Sequence, residues 1–256
     1  MRVIKHFKNG ILGFALIDFA NSIYTISYLA FLFPLYLKHL KPDAVDLDWS
    51  FSISISVVFG LIGSPVISFL ADKFGRRLML SLLLILSFVF QLLTLYYPVP
   101  NFKSKLSLFI LCNIFFGLSL PIYDSLLIHL TNKKGLTSAS SFSWGFGYLG
   151  GVSIILLSLL FDKSNETYYV HSLTVASILY LIIGLFAIFN IPKSIENVNN
   201  FSKTNFRGAL KSNSFKIILV LLAITFLLND SIDTILLFTS LFSSETLGLS
   251  TLEIGY

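Results

Sequence analysis

Charged residues are scarce in this sequence, and cysteine is almost absent. Asp, Glu, Lys and Arg make up 12% of the chain, against roughly 25% in globular proteins, while 55% of the residues are hydrophobic. A soluble chain of 256 residues cannot cover its surface with so little charge. The single cysteine, Cys112, excludes an intrachain disulfide and a cysteine metal cluster. The composition therefore favours a membrane protein.

Lysine and arginine are absent from seven long apolar stretches, which are residues 11–37, 51–71, 78–97, 106–130, 139–161, 170–191 and 217–242. Each is long enough for an α-helix to cross ~30 Å of hydrocarbon, which takes roughly 20 residues, whereas β-barrel strands are shorter and alternate. The first stretch is too long for the apolar segment of a signal peptide. The sequence predicts an all-α membrane protein with seven spans, three of them kinked or loosened at Pro34, Pro65 and Pro121.

The 18 basic residues are distributed unevenly between the two sides of the predicted membrane. Thirteen lie in the N-terminal tail and in the connections after the second, fourth and sixth spans, and five lie in the other connections. Because cytoplasmic connections carry the excess of Lys and Arg, we expect a cytoplasmic N-terminus, in a multi-pass protein of the bacterial cytoplasmic membrane. The net charge of +5 then reflects orientation and not nucleic-acid binding.

One connection, residues 192–216, is much longer than the others and is rich in Asn and basic residues. Six spans, a long cytoplasmic connection and a further span are typical of transporters built from two six-helix halves. We predict a six-helix bundle at 1–191, a linker at 192–216 and the start of a second bundle at 217–256. Ser250 and Glu253 have capping-box spacing, which predicts the beginning of an eighth helix, and we expect the chain to be a fragment of a longer transporter.

Four aspartates, Asp18, Asp124, Asp230 and Asp233, lie inside the predicted spans. Polar residues follow Asp18 and Asp230 at the same i+3 and i+4 spacing, with Asn21 and Ser22 in the first case and Asp233 and Thr234 in the second. An intramembrane charge costs about 2.5–3.5 kcal/mol and usually faces a cavity, a partner or a proton path. We predict a substrate or proton pathway formed by Asp18, Asn21, Ser22, Asp124, Asp230 and Asp233. Proton coupling is one hypothesis for these acids, and hydrogen bonding to neighbouring helices is the alternative.

The connection between the second and third spans has the sequence Ser-Phe-Leu-Ala-Asp-Lys-Phe-Gly-Arg-Arg at residues 68–77. Gly75 permits a tight turn, and Asp72 can pair with Arg76 or Arg77, so these four residues are candidates for a gating loop at the cytoplasmic helix ends. This connection resembles the signature loop of the major facilitator superfamily, where glycine is usual in place of Ser68. A plain positive connection without a gating role is the alternative.

The fifth predicted span is rich in small residues. Gly145, Gly147 and Gly150 match the G-x-G-x-x-G pattern of dinucleotide-binding loops, but a span with no preceding strand excludes that interpretation. Small residues at four-residue spacing allow another helix backbone to approach closely. The predicted packing face consists of Ser143, Gly147, Gly150 and Gly151, and a hinge or gate function of this segment is the alternative.

Three further segments resemble the motifs of one branch of this superfamily. Residues 18–24 are Asp-Phe-Ala-Asn-Ser-Ile-Tyr, residues 145–151 are Gly-Phe-Gly-Tyr-Leu-Gly-Gly, and residues 229–234 are Asn-Asp-Ser-Ile-Asp-Thr. They are similar to motifs of the vacuolar-effluxer-like branch of the superfamily, which includes the unknown major facilitator family of bacteria. The resemblance covers the first seven of that family's roughly twelve helices. It implies a secondary active transporter that exports a small solute, with amino acids as the solutes linked to the fungal members.

Other classes of membrane protein receive less support from the sequence. An intramembrane enzyme needs a nucleophile motif or metal ligands, and the four histidines are scattered at span ends. A channel is expected to show a repeated filter or a ring of charge. A folded fragment without transport activity stays open as an alternative. We predict no cofactor and no metal, and the expected partners are a small solute, membrane lipid and, with proton coupling, protons.

Overall fold

The secondary structure is entirely helical in the part of the chain that the computed structural model describes, which is residues 2–41, 45–98, 101–132, 134–161, 167–192, 213–249 and 253–254. The elements are α1 (Arg2–Tyr24), a π-helical segment (Thr25–Ala30), α2 (Leu32–Leu40), α3 (Val45–Phe74), α4 (Arg76–Tyr96), α5 (Phe102–Leu130), α6 (Leu136–Ser158), α7 (Tyr168–Asn190) and α8 (Asn213–Glu245). Within these residues, seven helical spans are long and apolar enough to cross a membrane. The prediction of an all-α membrane protein with seven spans is confirmed.

The first span, Gly10–Leu40, is not one continuous α-helix. The π-helical segment follows α1, and the chain bends at Phe31, where φ is −131° and ψ is −74°, before α2 begins. Pro34 explains this break because it has no N–H for the carbonyl of Ala30 and its ring crowds that carbonyl. Pro65 and Pro121, by contrast, lie inside α3 and α5, which continue past them.

The helices extend beyond the predicted apolar stretches at several polar ends. The first turn of α3 carries Asp46 and Asp48, which suit the positive end of the helix dipole. The last helix, α8, begins inside the predicted linker. The rest of that linker, residues 193–212, and Ser250 of the predicted eighth helix start lie outside the described residues.

The six spans before the linker pack in a pattern that repeats. The first helix, α1, packs on α6 and α7, just as α5 packs on α3 and α4, and α4 packs on α7. The first, second and third spans correspond to the fourth, fifth and sixth. Exchanging each span with its counterpart gives the same set of helix contacts. Because the two groups of three spans enter the membrane from opposite sides, the arrangement is that of an inverted repeat.

Aromatic side chains fill the centre of the bundle. The ring of Tyr24 stacks on Phe116 with centroids 4.0 Å apart, and it also packs on Tyr28 and Tyr180. The hydroxyl groups of Tyr28 and Ser177 are 2.8 Å apart. In a membrane, close packing and such buried hydrogen bonds hold helices together, since lipid is as apolar as the helix surfaces.

The last helix, α8, lies against the π-helical segment and α2. The indole N–H of Trp49 donates to the carbonyl oxygen of Leu237 at 3.3 Å, and Lys38 pairs with Glu245 at 3.6 Å. These contacts lie at the end of the bundle opposite the connection between α3 and α4. They attach the seventh span to the first two.

Candidate functional site

A cavity of about 660 Å³ lies between the helices of the bundle. Its walls come from α1, the π-helical segment, α3, α5, α6 and α8, and its volume is in the range of small-molecule sites. Apolar side chains cover much of the wall. The polar and aromatic lining residues used below are Asp18, Asn21, Ser22, Ser56, Asn113, Phe116, Tyr123, Asp124, Trp144 and Asp233.

Five of the six residues predicted for the substrate or proton pathway line this cavity. Asp18, Asn21 and Ser22 come from α1, Asp124 from α5 and Asp233 from α8. The sixth, Asp230, belongs to α8, and its side chain lies outside the described part of the structure. The fold therefore brings the motif of the first span and an aspartate of the seventh span to one space.

The carboxyl group of Asp18 has polar partners on two other helices. The hydroxyl of Ser143 in α6 donates to Oδ2 of Asp18 at 3.4 Å, and the hydroxyl of Tyr123 in α5 lies 3.0 Å from Ser143 Oγ. Asp18 also interacts with Tyr123 and with the charge of Asp124. Asp18 is therefore a half-buried acid whose nearest polar partners are hydroxyl groups.

Gly147 makes room for this carboxyl group. A Cβ atom at position 147 would lie 2.7 Å from Oδ2 of Asp18 and 3.2 Å from Oγ of Ser22. From the sequence, Gly147 was predicted as part of a packing face. The structure places it beside the candidate pathway as well.

The lining of the cavity is acidic. Asp18, Asp124 and Asp233 line it, and none of the described lining residues is Lys, Arg or His. Among the residues that the structure describes, no three His, Cys, Asp or Glu side chains come together to hold a metal ion. A carboxylate in such a cavity can take up and release a proton, which is the chemistry that proton coupling requires.

A network of neutral polar groups at the cavity wall was missed by the sequence reasoning. The side-chain N–H of Asn113 donates to Oγ of Ser56 at 2.7 Å, and the hydroxyl of Tyr24 donates to Oδ1 of Asn113 at 3.2 Å. That hydroxyl also lies 3.2 Å from Sγ of Cys112. One signal in the sequence could have identified Asn113. It is an amide in an apolar span, and a polar side chain there needs a hydrogen-bond partner on another helix.

The connection between α3 and α4 turns at Gly75. Its φ of 104° belongs to a region that favours glycine. Asp72 and Arg76 lie on the two sides of this turn and form a salt bridge, with 2.5 Å between Oδ1 of Asp72 and Nη2 of Arg76. The sequence allowed Asp72 to pair with Arg76 or with Arg77, and the described contacts include the pair with Arg76.

Arg77 instead contacts the end of α7. Its Nε donates to the carbonyl of Ile188 at 3.1 Å, and its Nη2 donates to that of Phe189 at 3.3 Å. The last carbonyls of a helix have no partner within the helix, and a cation there also suits the helix dipole. Arg77 therefore ties the start of the third span to the end of the sixth.

Small residues of α6 lie directly on the first span. A Cβ at Gly150 would collide with the backbone oxygen of Phe19, and one at Gly151 would lie 2.8 Å from Cγ1 of Ile26. Gly145, by contrast, has nothing within 4 Å of such a Cβ. The four residues predicted as a packing face, Ser143, Gly147, Gly150 and Gly151, are all buried.

Comparisons with known proteins agree with this architecture. Residues 11–256 match the family model described as Major Facilitator Superfamily. Proteins from two strains of Staphylococcus epidermidis, each named proton-coupled antiporter flippase LtaA, are 26% identical to the chain over 174 residues. That match covers 66% of this chain and only 41% of each relative. No solved structure gives a significant match. Because the family model covers nearly the whole of this helical membrane chain, the protein belongs to the major facilitator superfamily.

Proposed function

We propose that this protein acts in secondary active transport and moves a small solute across a membrane by alternating access. The observation that carries the proposal is the cavity, where polar side chains of α1, α3, α5 and α8 meet between membrane spans. Intramembrane polar groups that share a cavity are typical of substrate and ion pathways. Family membership and the names of the relatives support the same activity.

Asp18 is our candidate for the proton carrier. It is an intramembrane acid, its partners Ser143 and Tyr123 are neutral hydroxyls, and Asp124 adds a second negative charge nearby. The relatives are named as proton-coupled antiporters, which supports proton coupling in this chain. The vacuolar-effluxer resemblance implies efflux of amino acids, which is the alternative to the transport of an amine without a carboxylate.

The cytoplasmic ends of the helices are the candidate gate. Asp72, Gly75, Arg76 and Arg77 form the turn and its contacts, and Arg77 reaches across to α7. If the cytoplasmic helix ends move relative to one another during transport, such contacts can break and reform. The proposed location is the bacterial cytoplasmic membrane, with the N-terminus in the cytoplasm.

Proton-driven flux tests the proposal. The purified chain is reconstituted in proteoliposomes, and the flux of labelled amino acids and amines is measured with and without a pH gradient. We expect flux that depends on the gradient, and we expect Asp18→Asn to lose that dependence because an amide cannot take up and release the proton. Its matched control is Asp48→Asn, since Asp48 pairs with Lys41 outside the cavity at 2.7 Å.

The outcomes separate the parts of the proposal. Gradient dependence that is unchanged in Asp18→Asn contradicts the role of Asp18. Flux of no solute under any gradient contradicts transport by this chain and favours a folded but inactive protein.

A further inference from the structure

The acidic cavity restricts the charge of the solute that it can hold. Asp18 and Asp124 both line it, and no described lining residue is basic. Like charges repel strongly in a medium of low dielectric constant, and a cation placed between them is attracted by both. A carboxylate on a solute would increase the repulsion.

Asn21 gives a second and independent indication of a ligand. It lines the cavity, its side chain is 9% exposed, and its amide nitrogen is buried without a hydrogen-bond partner among the described residues. Leaving a buried donor without a hydrogen-bond partner is unfavourable. A neutral acceptor on the solute, such as a hydroxyl oxygen, would satisfy this donor.

Aromatic rings complete the lining. Trp144, Tyr123 and Phe116 all face the cavity, and Trp144 is 65% exposed. The faces of such rings attract ammonium groups and pack on apolar parts of a solute. The cavity therefore combines negative charge, one amide donor and aromatic surface.

We propose that the cavity binds an organic cation, an amine or quaternary ammonium that carries an aromatic or hydroxyl group, and that it rejects related solutes with a carboxylate. A zwitterionic amino acid would bring its carboxylate close to Asp18 and Asp124, and it would meet no basic side chain among the described lining residues. Treating this cation as the transported solute rests on the proposed function. Its binding does not depend on transport.

Three probes of similar size separate the charge classes. Tyramine is a cation with a phenol group, tyrosine adds a carboxylate to it, and 4-ethylphenol lacks the amine. Binding to the full chain in lipid nanodiscs is followed by tryptophan fluorescence in the Trp49→Phe variant, which keeps Trp144 at the cavity wall as its one tryptophan. Empty nanodiscs correct for partition into lipid, and calorimetry with the wild-type chain checks that the variant binds as the wild type does.

We expect saturable binding of tyramine, with tyrosine and 4-ethylphenol at least ten times weaker. Asp124→Asn should weaken tyramine binding about tenfold, whereas the matched control Asp48→Asn should leave it unchanged. Asp124→Glu, which keeps the charge, should bind within a factor of about three of wild type. Should Asp124→Asn fail to fold, the Asp124→Glu variant and the comparison of the three probes on the wild type still decide the question.

Equal affinity for tyramine and tyrosine, or for tyramine and 4-ethylphenol, overturns the inference. Full tyramine affinity in a folded Asp124→Asn variant overturns it as well. In proteoliposomes, flux of tyrosine without flux of tyramine contradicts the inference and supports the proposed function. Saturable tyramine binding without flux of any solute contradicts the proposed function and supports the inference.

Discussion

The carboxyl group of Asp18 lies against Gly147 where α1 packs on α6. Because Gly147 has no side chain, the Asp18 carboxyl group can lie beside it and accept a hydrogen bond from Ser143. A charge inside a membrane is tolerated only where such partners or a cavity are present. The position of the acid therefore depends on a residue that carries no functional group.

Gly147→Ala is expected to impair the site more than the fold. The new Cβ would displace the end of a flexible carboxyl side chain, which can rotate away, and catalytic or binding geometry is sensitive to such shifts. Proton-driven flux and tyramine affinity should each fall about tenfold, with little change in the midpoint of thermal unfolding. Gly145→Ala, at a position with nothing within 4 Å, is the control. Equal flux in the two variants would contradict this account.

At the scale of elements, α6 and the first span are held together by backbone contact. Glycine in a helix interior is unfavourable by roughly 1 kcal/mol relative to alanine, so its presence needs a compensating reason. At position 150 that reason is the backbone of Phe19, which lies where a Cβ would be. Unlike a carboxyl group, a backbone carbonyl cannot rotate out of the way.

Gly150→Ala is therefore expected to destabilise the bundle. Overpacking of this kind costs about 1–3 kcal/mol, which should lower the midpoint of thermal unfolding in detergent by several degrees. Gly145→Ala should be neutral or slightly stabilising, since alanine is the better helix former and the space is open. If both variants unfold at the same temperature as wild type, the close contact at Gly150 is wrong.

Arg77 links two helices that are far apart in sequence. Its planar group donates from two nitrogens to the carbonyls at the end of α7, whereas lysine carries a single ammonium point charge. Arg77→Lys should lower flux about tenfold if this contact is part of the gate. Lys73→Arg, on an exposed residue of the same connection, should have no effect on flux. Normal flux in Arg77→Lys would leave that contact without a role in gating.

At the scale of the whole molecule, the proposed orientation in the membrane rests on the basic residues outside the spans. Cys112 is fully buried, so a cysteine introduced on the surface is the reactive one. In intact bacteria, a membrane-impermeant maleimide should label Lys103→Cys, and it should label Lys134→Cys only after the cells are permeabilised. The reverse pattern would place the N-terminus outside.

Part of the candidate cavity lining could be predicted from the sequence, and the reason that the rest could not is geometric. Asp18 and Asp124 were visible because a carboxylate in an apolar run is conspicuous on its own. Ser143 was assigned only to packing, and Ser56 and Asn113 were not assigned to the pathway at all. Ser and Asn side chains are neutral, and they become site residues only when another helix brings a partner to them.

The sequence by itself determined the number and type of the spans. Crossing hydrocarbon is a local property, because a helix satisfies its backbone hydrogen bonds within about 20 apolar residues whatever its neighbours are. Only the tertiary structure decided which polar residues share the cavity. That outcome depends on how each helix is rotated about its axis, and the rotation is set by contacts such as Gly150 on Phe19 between residues distant in the chain.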